Sequence, residues 1–584
     1  MKSKSTSSLL LSTATLALAS TITIHAADLT WNAAINSNWN TTDANWSGST
    51  WNNATPDNAI FHSVGGTVTL DSGITAETVS VGNTGSNFAS LTLTGGSLNA
   101  FTLDVQGAGG NSGAYGSNPT LSVNSSVSLT GDASVGRANL DITGGTFTAN
   151  RIISASGSAD WARLVISGGN VTATNGVDGS VNTGATFAID LDGGTLNTPS
   201  IKVADREVGE SNNAWLTFNG GTVKATASNS SFITTYGGGN NVYISNGGAI
   251  IDTNSHAITI GTALKNTAGH NGSLTKNGNG NLTLTQSNNY TGGTTVNNGM
   301  LVLAASAWTF DNVGGAGVTV ASGATLRADN SVANQLNGLT LNGGTVDAVN
   351  SSGNGDWGNF FLTGNVSATG TSNLNGDIAL RASNVDFNVA SGGTLNVGGT
   401  MHNGAFFGIY SGVPATVSKS GSGTMAITGS QTYTGATTVS AGTLLVNGSL
   451  GNTAVIVNGG TIGGTGALAG SMTLSNGLFH VVDLSDALAV AGTISLFAGF
   501  GVDDLTGLDW GTIANDTYTL IDGTLGAGVF DALANNSLAT AYDIGSGRSA
   551  YYQQGSLQLV VIPESSTALL SGVGLLALLR RRRA

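Results

Sequence analysis

Residues 91–100, LTLTGGSLNA, alternate apolar and hydroxyl side chains up to a glycine pair and then resume the alternation. Leu91 and Leu93 share one face of a strand and Thr92 and Thr94 the other, as the two-residue period of a pleat requires. The glycine pair supplies a positive-φ corner that β-branched residues resist. The phrase returns as LDITGGTFTA (140–149), LVISGGNVTA (164–173), IDLDGGTLNT (189–198), LTFNGGTVKA (216–225), YISNGGAIID (243–252), LTLNGGTVDA (339–348) and VIVNGGTIGG (455–464). Within the most regular block the second glycines are Gly145, Gly169, Gly194, Gly221 and Gly248, so the corner recurs about every 25 positions.

A unit this short cannot close a core of its own and must lean on its neighbours, which makes it a solenoid repeat. The fold class expected is therefore all-β, a parallel β-helix with terminal caps. At about 25 residues per coil and ~4.8 Å per rung, residues 63–480 predict roughly 17 coils and a rod on the order of 80 Å long, with Thr and Asn stacked into ladders. A string of immunoglobulin-like sandwiches is the competing architecture, but its unit is about 100 residues, a period the sequence does not favour.

Composition agrees with this reading. The chain has 584 residues, 88 glycines, 5 prolines and no cysteine, with 40% hydrophobic residues, enough to fold and with no disulfides to help. Its formal charge of −14 argues against nucleic acid as a partner, since phosphate binding is driven by Lys and Arg. A third of its basic residues lie at the termini, as Lys2, Lys4 and Arg580 to Arg583.

Those termini read as targeting segments. Residues 1–26 carry Lys2 and Lys4, an apolar stretch from Leu9 to Ala19, and small residues at Ala26 and Ala27 before Asp28, the layout of a secretory signal helix. At the other end Thr567 to Leu579 is apolar and Arg580 to Arg583 follow. As a helix that run would span ~20 Å, short of a ~30 Å bilayer core, and the arginines would hold the end on the cytoplasmic side. Between these ends lie a Trp-rich N-terminal cap (27–62), the solenoid (63–480) and a C-terminal β-segment (481–560), where the glycine phrase fades.

Two stretches align without a gap from first residue to last: LTKNGNGNLTLTQSNNYTGGTTVNNGMLVL (274–303) and VSKSGSGTMAITGSQTYTGATTVSAGTLLV (417–446). Shared positions include Lys276 with Lys419, Gly280 with Gly423, Tyr290 with Tyr433 and Val296 with Val439. This pattern resembles the autotransporter-associated β-strand repeat, a passenger-domain element of exported bacterial proteins. The resemblance implies a right-handed β-helix outside the cell and no particular catalytic activity. The tail, residues 561–584, is similar to the PEP-CTERM sorting signal of Gram-negative bacteria. By position Pro563 and Glu564 stand for its first motif residues, Thr567 to Leu579 for its hydrophobic helix and Arg580, Arg581, Arg582 and Arg583 for its cytoplasmic stop, with Ser565 where the second proline is expected. That resemblance implies processing by an exosortase-type enzyme and a membrane contact through the C-terminal helix.

Few residues are arranged in a pattern that chemistry requires. Asp190 and Asp192 share a strand face ~7 Å apart, and a neighbouring coil could bring Lys202 or Lys224 to them, the ingredients of acid–base work on a polysaccharide. The histidines, His25, His62, His256, His270, His402 and His480, have no metal-ligand spacing. Asp503, Asp504, Asp509, Asp516 and Asp522 raise calcium but lack a binding-loop spacing and read better as solvated turns. Tyr290 and Tyr433, with the nearby lysines, could stack on sugar, although a coil cap with the hydroxyl bonded to backbone is the plainer reading. The same choice, sugar platform or cap, applies to Trp31, Trp39, Trp46 and Trp51. The expectation is an exported, non-enzymatic surface or matrix protein of a Gram-negative bacterium, without cofactor or metal, structural or adhesive towards extracellular polysaccharide or neighbouring cells. The alternative is a β-helix protein that binds or degrades such polysaccharide.

Overall fold

The computed structural model describes residues 26–32, 36–62, 65–82, 89–107, 118–155, 161–180, 186–204, 215–236, 242–304, 316–329, 334–348, 360–404 and 414–563. The expected signal helix and C-terminal hydrophobic helix lie outside these residues, as do Glu564 and Arg580 to Arg583. Among the described residues no helix is long and apolar enough to cross a membrane.

A regular winding contributes short strands to three columns. Asn139–Gly144, Thr146–Ala149 and Ile152–Ser154 form one such winding, and each strand pairs in parallel with its counterpart one coil later, Trp161–Ile166, Asn170–Ala173 and Val177–Asp178. This is the pairing of a β-solenoid rather than of stacked sandwiches, whose strands pair antiparallel within each unit. The third column is continuous: twenty successive parallel pairings carry it from Leu29 through Ala59, Val79 and Leu103 to Leu505. At ~4.8 Å per rung that ladder is about 95 Å long. The sequence period is an average over unequal coils. One of the shortest steps in register takes Val455 to Met472, and one of the longest takes Phe387 to Lys419.

Alternation turns the aliphatic residues of all three columns inward, and they merge into one core running from Trp31 to Val561. In the most regular block the glycine pairs sit between the first and second columns. Gly194, at φ +60°, would place a Cβ 2.6 Å from the Gly168 carbonyl oxygen of the coil beneath, so the corner needs glycine both for its backbone angle and for its closeness to the next coil. Outside the barrel the expected amide ladders form: Asn197 donates to Asn170 at 2.6 Å, Asn297 to Asn277 at 2.9 Å and Asn396 to Asn373 at 3.0 Å. Ion pairs also cross between coils, Arg151 to Asp132 at 2.6 Å and Lys202 to Asp178 at 3.2 Å, and as partly exposed pairs they add little stability.

Both ends are closed. Trp39, Trp46 and Trp51 are at most 1% exposed and Trp31 2%; Trp46 lies 4.7 Å from Trp51 and 4.8 Å from Trp39, and Phe61 lies under them. These rings plug the first coil, and their faces are taken by one another, which removes the sugar-platform reading. At the far end Leu488–Leu496 pairs in parallel with Thr517–Leu525, after which the direction switches. Leu557–Pro563, Arg548–Gln553 and Tyr542–Gly545 follow as an antiparallel sheet, with Tyr552 stacked on Phe500 and its hydroxyl donating to the Gly501 carbonyl at 2.8 Å. The last strand runs to Pro563, paired with Arg548, past the expected edge of this segment at position 560.

Replacing Gly194 with alanine is expected to cost about 2 kcal/mol or more, from strain plus collision with Gly168. Gly323, at φ +74° with open space around it, should lose only about 1 kcal/mol on the same change. Denaturant titration of the two variants, with hydrogen exchange to locate the loss, checks the difference.

Candidate functional site

The two aligned stretches are the most distinctive local structure. Leu274–Asn277 and Asn281–Leu284 occupy the second and third columns, and Thr294–Val296 and Met300–Leu303 occupy them again one coil later. Thr416–Ser420, Thr424–Ile427, Thr437–Val439 and Thr443–Val446 repeat the arrangement. Between them the first column shrinks to an irregular crossing, of which only the short strand Ser430–Gln431 in the second copy remains, and buried polar side chains do the work of the missing pairings.

Lys276 and Lys419 point into the interior and are 0% exposed. The Lys276 ammonium donates to the carbonyls of Asn277 at 2.9 Å, Gly278 at 2.7 Å and Asn298 at 3.0 Å, and to the Thr253 hydroxyl at 2.9 Å. The Lys419 ammonium donates to the carbonyls of Ser420 at 2.7 Å, Gly421 at 2.8 Å and Ala441 at 3.1 Å. Each lysine thus ties together the corners of adjacent coils. Burial pulls their pKa from 10.5 down to about 8, against the opposing influence of Asp252 on Lys276 and of Asp386 on Lys419.

Tyr290 and Tyr433 are also 0% exposed, their hydroxyls 2.6 Å from Thr294 Oγ1 and 2.7 Å from Thr437 Oγ1. The ring faces are therefore closed to sugar, and the capping reading holds with one change: each hydroxyl meets the threonine four residues further on, and at Tyr433 it does so rather than meeting backbone. Burial pushes the Tyr433 hydroxyl up to about 12 and likewise raises that of Tyr290. A third pair went unread in the sequence. Asn288 and Gln431, 1% and 2% exposed, occupy equivalent positions in the two stretches and accept from the backbone amides of Leu264 at 2.8 Å and Met401 at 2.6 Å in the preceding coil. The signal that could have found them is the recurrence of a carboxamide at one aligned position despite the change of residue.

The carboxylates on the outer wall have other occupations. Asp190 is 5% exposed; its Oδ2 accepts from Arg163 Nε and its Oδ1 from Trp215 Nε1 at 3.1 Å, each one coil away. Neither expected lysine reaches it, because Lys202 faces Asp178 at 3.2 Å and Lys224 faces Asp252 at 3.8 Å. Asp192 accepts from Asn219 at 3.3 Å. Arg163 and Trp215 lie one solenoid period before and one after Asp190, which is how they could have been sought.

The aspartates near the C-terminal end bond within short turns or to a neighbouring strand. Asp504 accepts from the Gly501 amide at 2.8 Å, Asp509 from the Gly511 amide at 3.0 Å, Asp516 from the Thr517 amide at 2.8 Å and Asp522 from the Ser556 hydroxyl at 2.8 Å. Among the described residues no three of His, Cys, Asp and Glu gather as a metal site. Of the sorting-signal residues, Pro563 closes the last strand.

Residues 274–303 and 417–446 each match the family model of the passenger-associated-transport-repeat. The match falls on both aligned stretches end to end. No curated protein and no solved structure matches the chain.

The buried groups predict an unusual pH profile. Between about pH 8 and 10.5 the unfolded chain holds lysine protons that the fold has released, so stability rises with pH, on the order of 3 kcal/mol per lysine. Above pH 10 the unfolded tyrosines ionise while the buried ones stay neutral, so stability falls again. Lys419→Met should flatten the rise and, by stranding buried carbonyls, lower stability at pH 7 by about 2 kcal/mol. Tyr433→Phe should weaken the alkaline fall. Denaturant titrations from pH 7 to 11 test all three outcomes.

Proposed function

We propose that this protein is an exported surface or matrix component of a Gram-negative bacterium, a long capped rod that adheres through many weak, uncharged contacts to extracellular polysaccharide or to neighbouring cells. The observation that carries the reading is a rank of outward hydroxyls on the second column. Thr275, Thr295, Thr319, Thr340 and Ser367 stand in consecutive register, ~4.8 Å apart, and among the described residues none of their side chains bonds to protein. Such a surface on an acidic protein offers neutral donors and acceptors at a fixed repeat, and a periodic polymer can engage many of them at once. The two passenger-associated repeats support placement outside the cell, and the absence of cysteine is consistent with a rod held by stacking alone.

In this reading residues 1–26 direct export, and the segment beginning at Pro563 and Glu564 and ending at Arg580 to Arg583 holds the chain at the membrane until an exosortase-type enzyme acts on it. Intact mass spectrometry of protein recovered from fractionated cells should show a chain beginning at Ala27 or Asp28 and ending shortly after Pro563, in the envelope or medium. Full-length protein in the cytosol would overturn export and sorting together. Adhesion has its own test: combining Thr295→Glu, Thr319→Glu and Thr340→Glu should leave the β-sheet circular dichroism intact and reduce retention on polysaccharide from the producing cells at least tenfold.

A further inference from the structure

Beyond the rod itself, the antiparallel end segment holds an open cavity of about 440 Å³ where three pieces of chain converge. One is the glycine-rich stretch at and after the end of the strand Thr517–Leu525, residues 523–528; another is the single turn Phe530–Ala532; the third is the hairpin corner at Gln554 and Gly555. Thr524, Asp531 and Gln554 line it, and among the described residues the side chains of all three make no hydrogen bond to protein. Phe530 packs partly against the core and also lines the cavity. At Gly528 and Gly555, with φ of +75° and +138°, a Cβ would meet nothing within 4 Å, so glycine is there for its backbone angle and leaves the wall low.

We infer that this cavity is a binding site for a neutral hexose residue within a polysaccharide chain. A carboxylate that can accept from neighbouring hydroxyls, a carboxamide that both donates and accepts, a threonine hydroxyl and an aromatic ring together fit a sugar with one polar and one C–H-rich face. Asp531 and the net charge of −14 select against uronate, sulfate and phosphate groups, so the ligand carries no negative charge. The open sides let the chain enter and leave, so an internal residue of a polymer fits as well as an end. The site deepens the adhesive reading and rests on it, adding one oriented contact at the end of the rod to the diffuse contacts along it.

Calorimetric titration of the full chain with a panel of neutral hexose tetrasaccharides, α- and β-linked glucose, mannose and galactose, tests the inference. Saturable millimolar or tighter binding to at least one member is expected, weakened at least tenfold by Asp531→Ala and by Gln554→Ala, both solvent-facing substitutions that leave the fold intact by circular dichroism. Absence of binding to every member, or binding that both variants retain, overturns the site. If polymer retention by the unaltered protein persists in that event and still depends on the threonine rank, the adhesive reading stands and the site alone falls.

Discussion

Every part of this molecule depends on the parallel main-chain ladder between successive coils. A single coil has too little apolar surface to fold by itself, so its strands exist only because the coils above and below satisfy their amides and carbonyls and cover their aliphatic side chains. Open strand edges at the two ends would invite pairing with other chains. Four tryptophans answer this at one end, and a change from parallel to antiparallel pairing answers it at the other. A chain without disulfides is held in this way by continuity rather than by cross-links.

The two passenger-associated repeats show what happens where the ladder thins. With the first column reduced to an irregular crossing, backbone groups of the adjacent coils would be left without partners in the interior, a cost of about 1–3 kcal/mol each. Lys276 and Lys419 cover the corner carbonyls, Asn288 and Gln431 cover an amide of the previous coil, and Tyr290 and Tyr433 fill the remaining volume. A buried ammonium is tolerated because three or more oxygens face it, and its lowered pKa records that the solvation is incomplete. The motif is thus a polar substitute for a strand.

The outer wall follows a different rule. Several of its charged residues pair across coils, as Arg163 does with Asp190 and Lys224 with Asp252, while ranks of hydroxyl groups such as Thr275, Thr295, Thr319 and Thr340 stand between them. On the proposed reading, such a surface serves many weak contacts with a neutral polymer.

The all-β solenoid, its glycine corners, the extent of both repeats and the capping role of the tryptophans were legible in the sequence, because alternation, glycine placement and internal periodicity are local properties that need no knowledge of distant neighbours. Which residues meet across coils was not. Coils vary in length, so an average period cannot say that Asp190 meets Arg163 and Trp215 while Lys202 and Lys224 turn to other aspartates. The roles of Asn288 and Gln431 stayed hidden for the same reason, since a carboxamide can replace a strand's acceptor only where the fold has already removed that strand. Likewise the cavity beside Phe530 exists because the chain reverses direction at the end of the ladder, a reversal made by long-range pairing between residues 517–525 and 557–563.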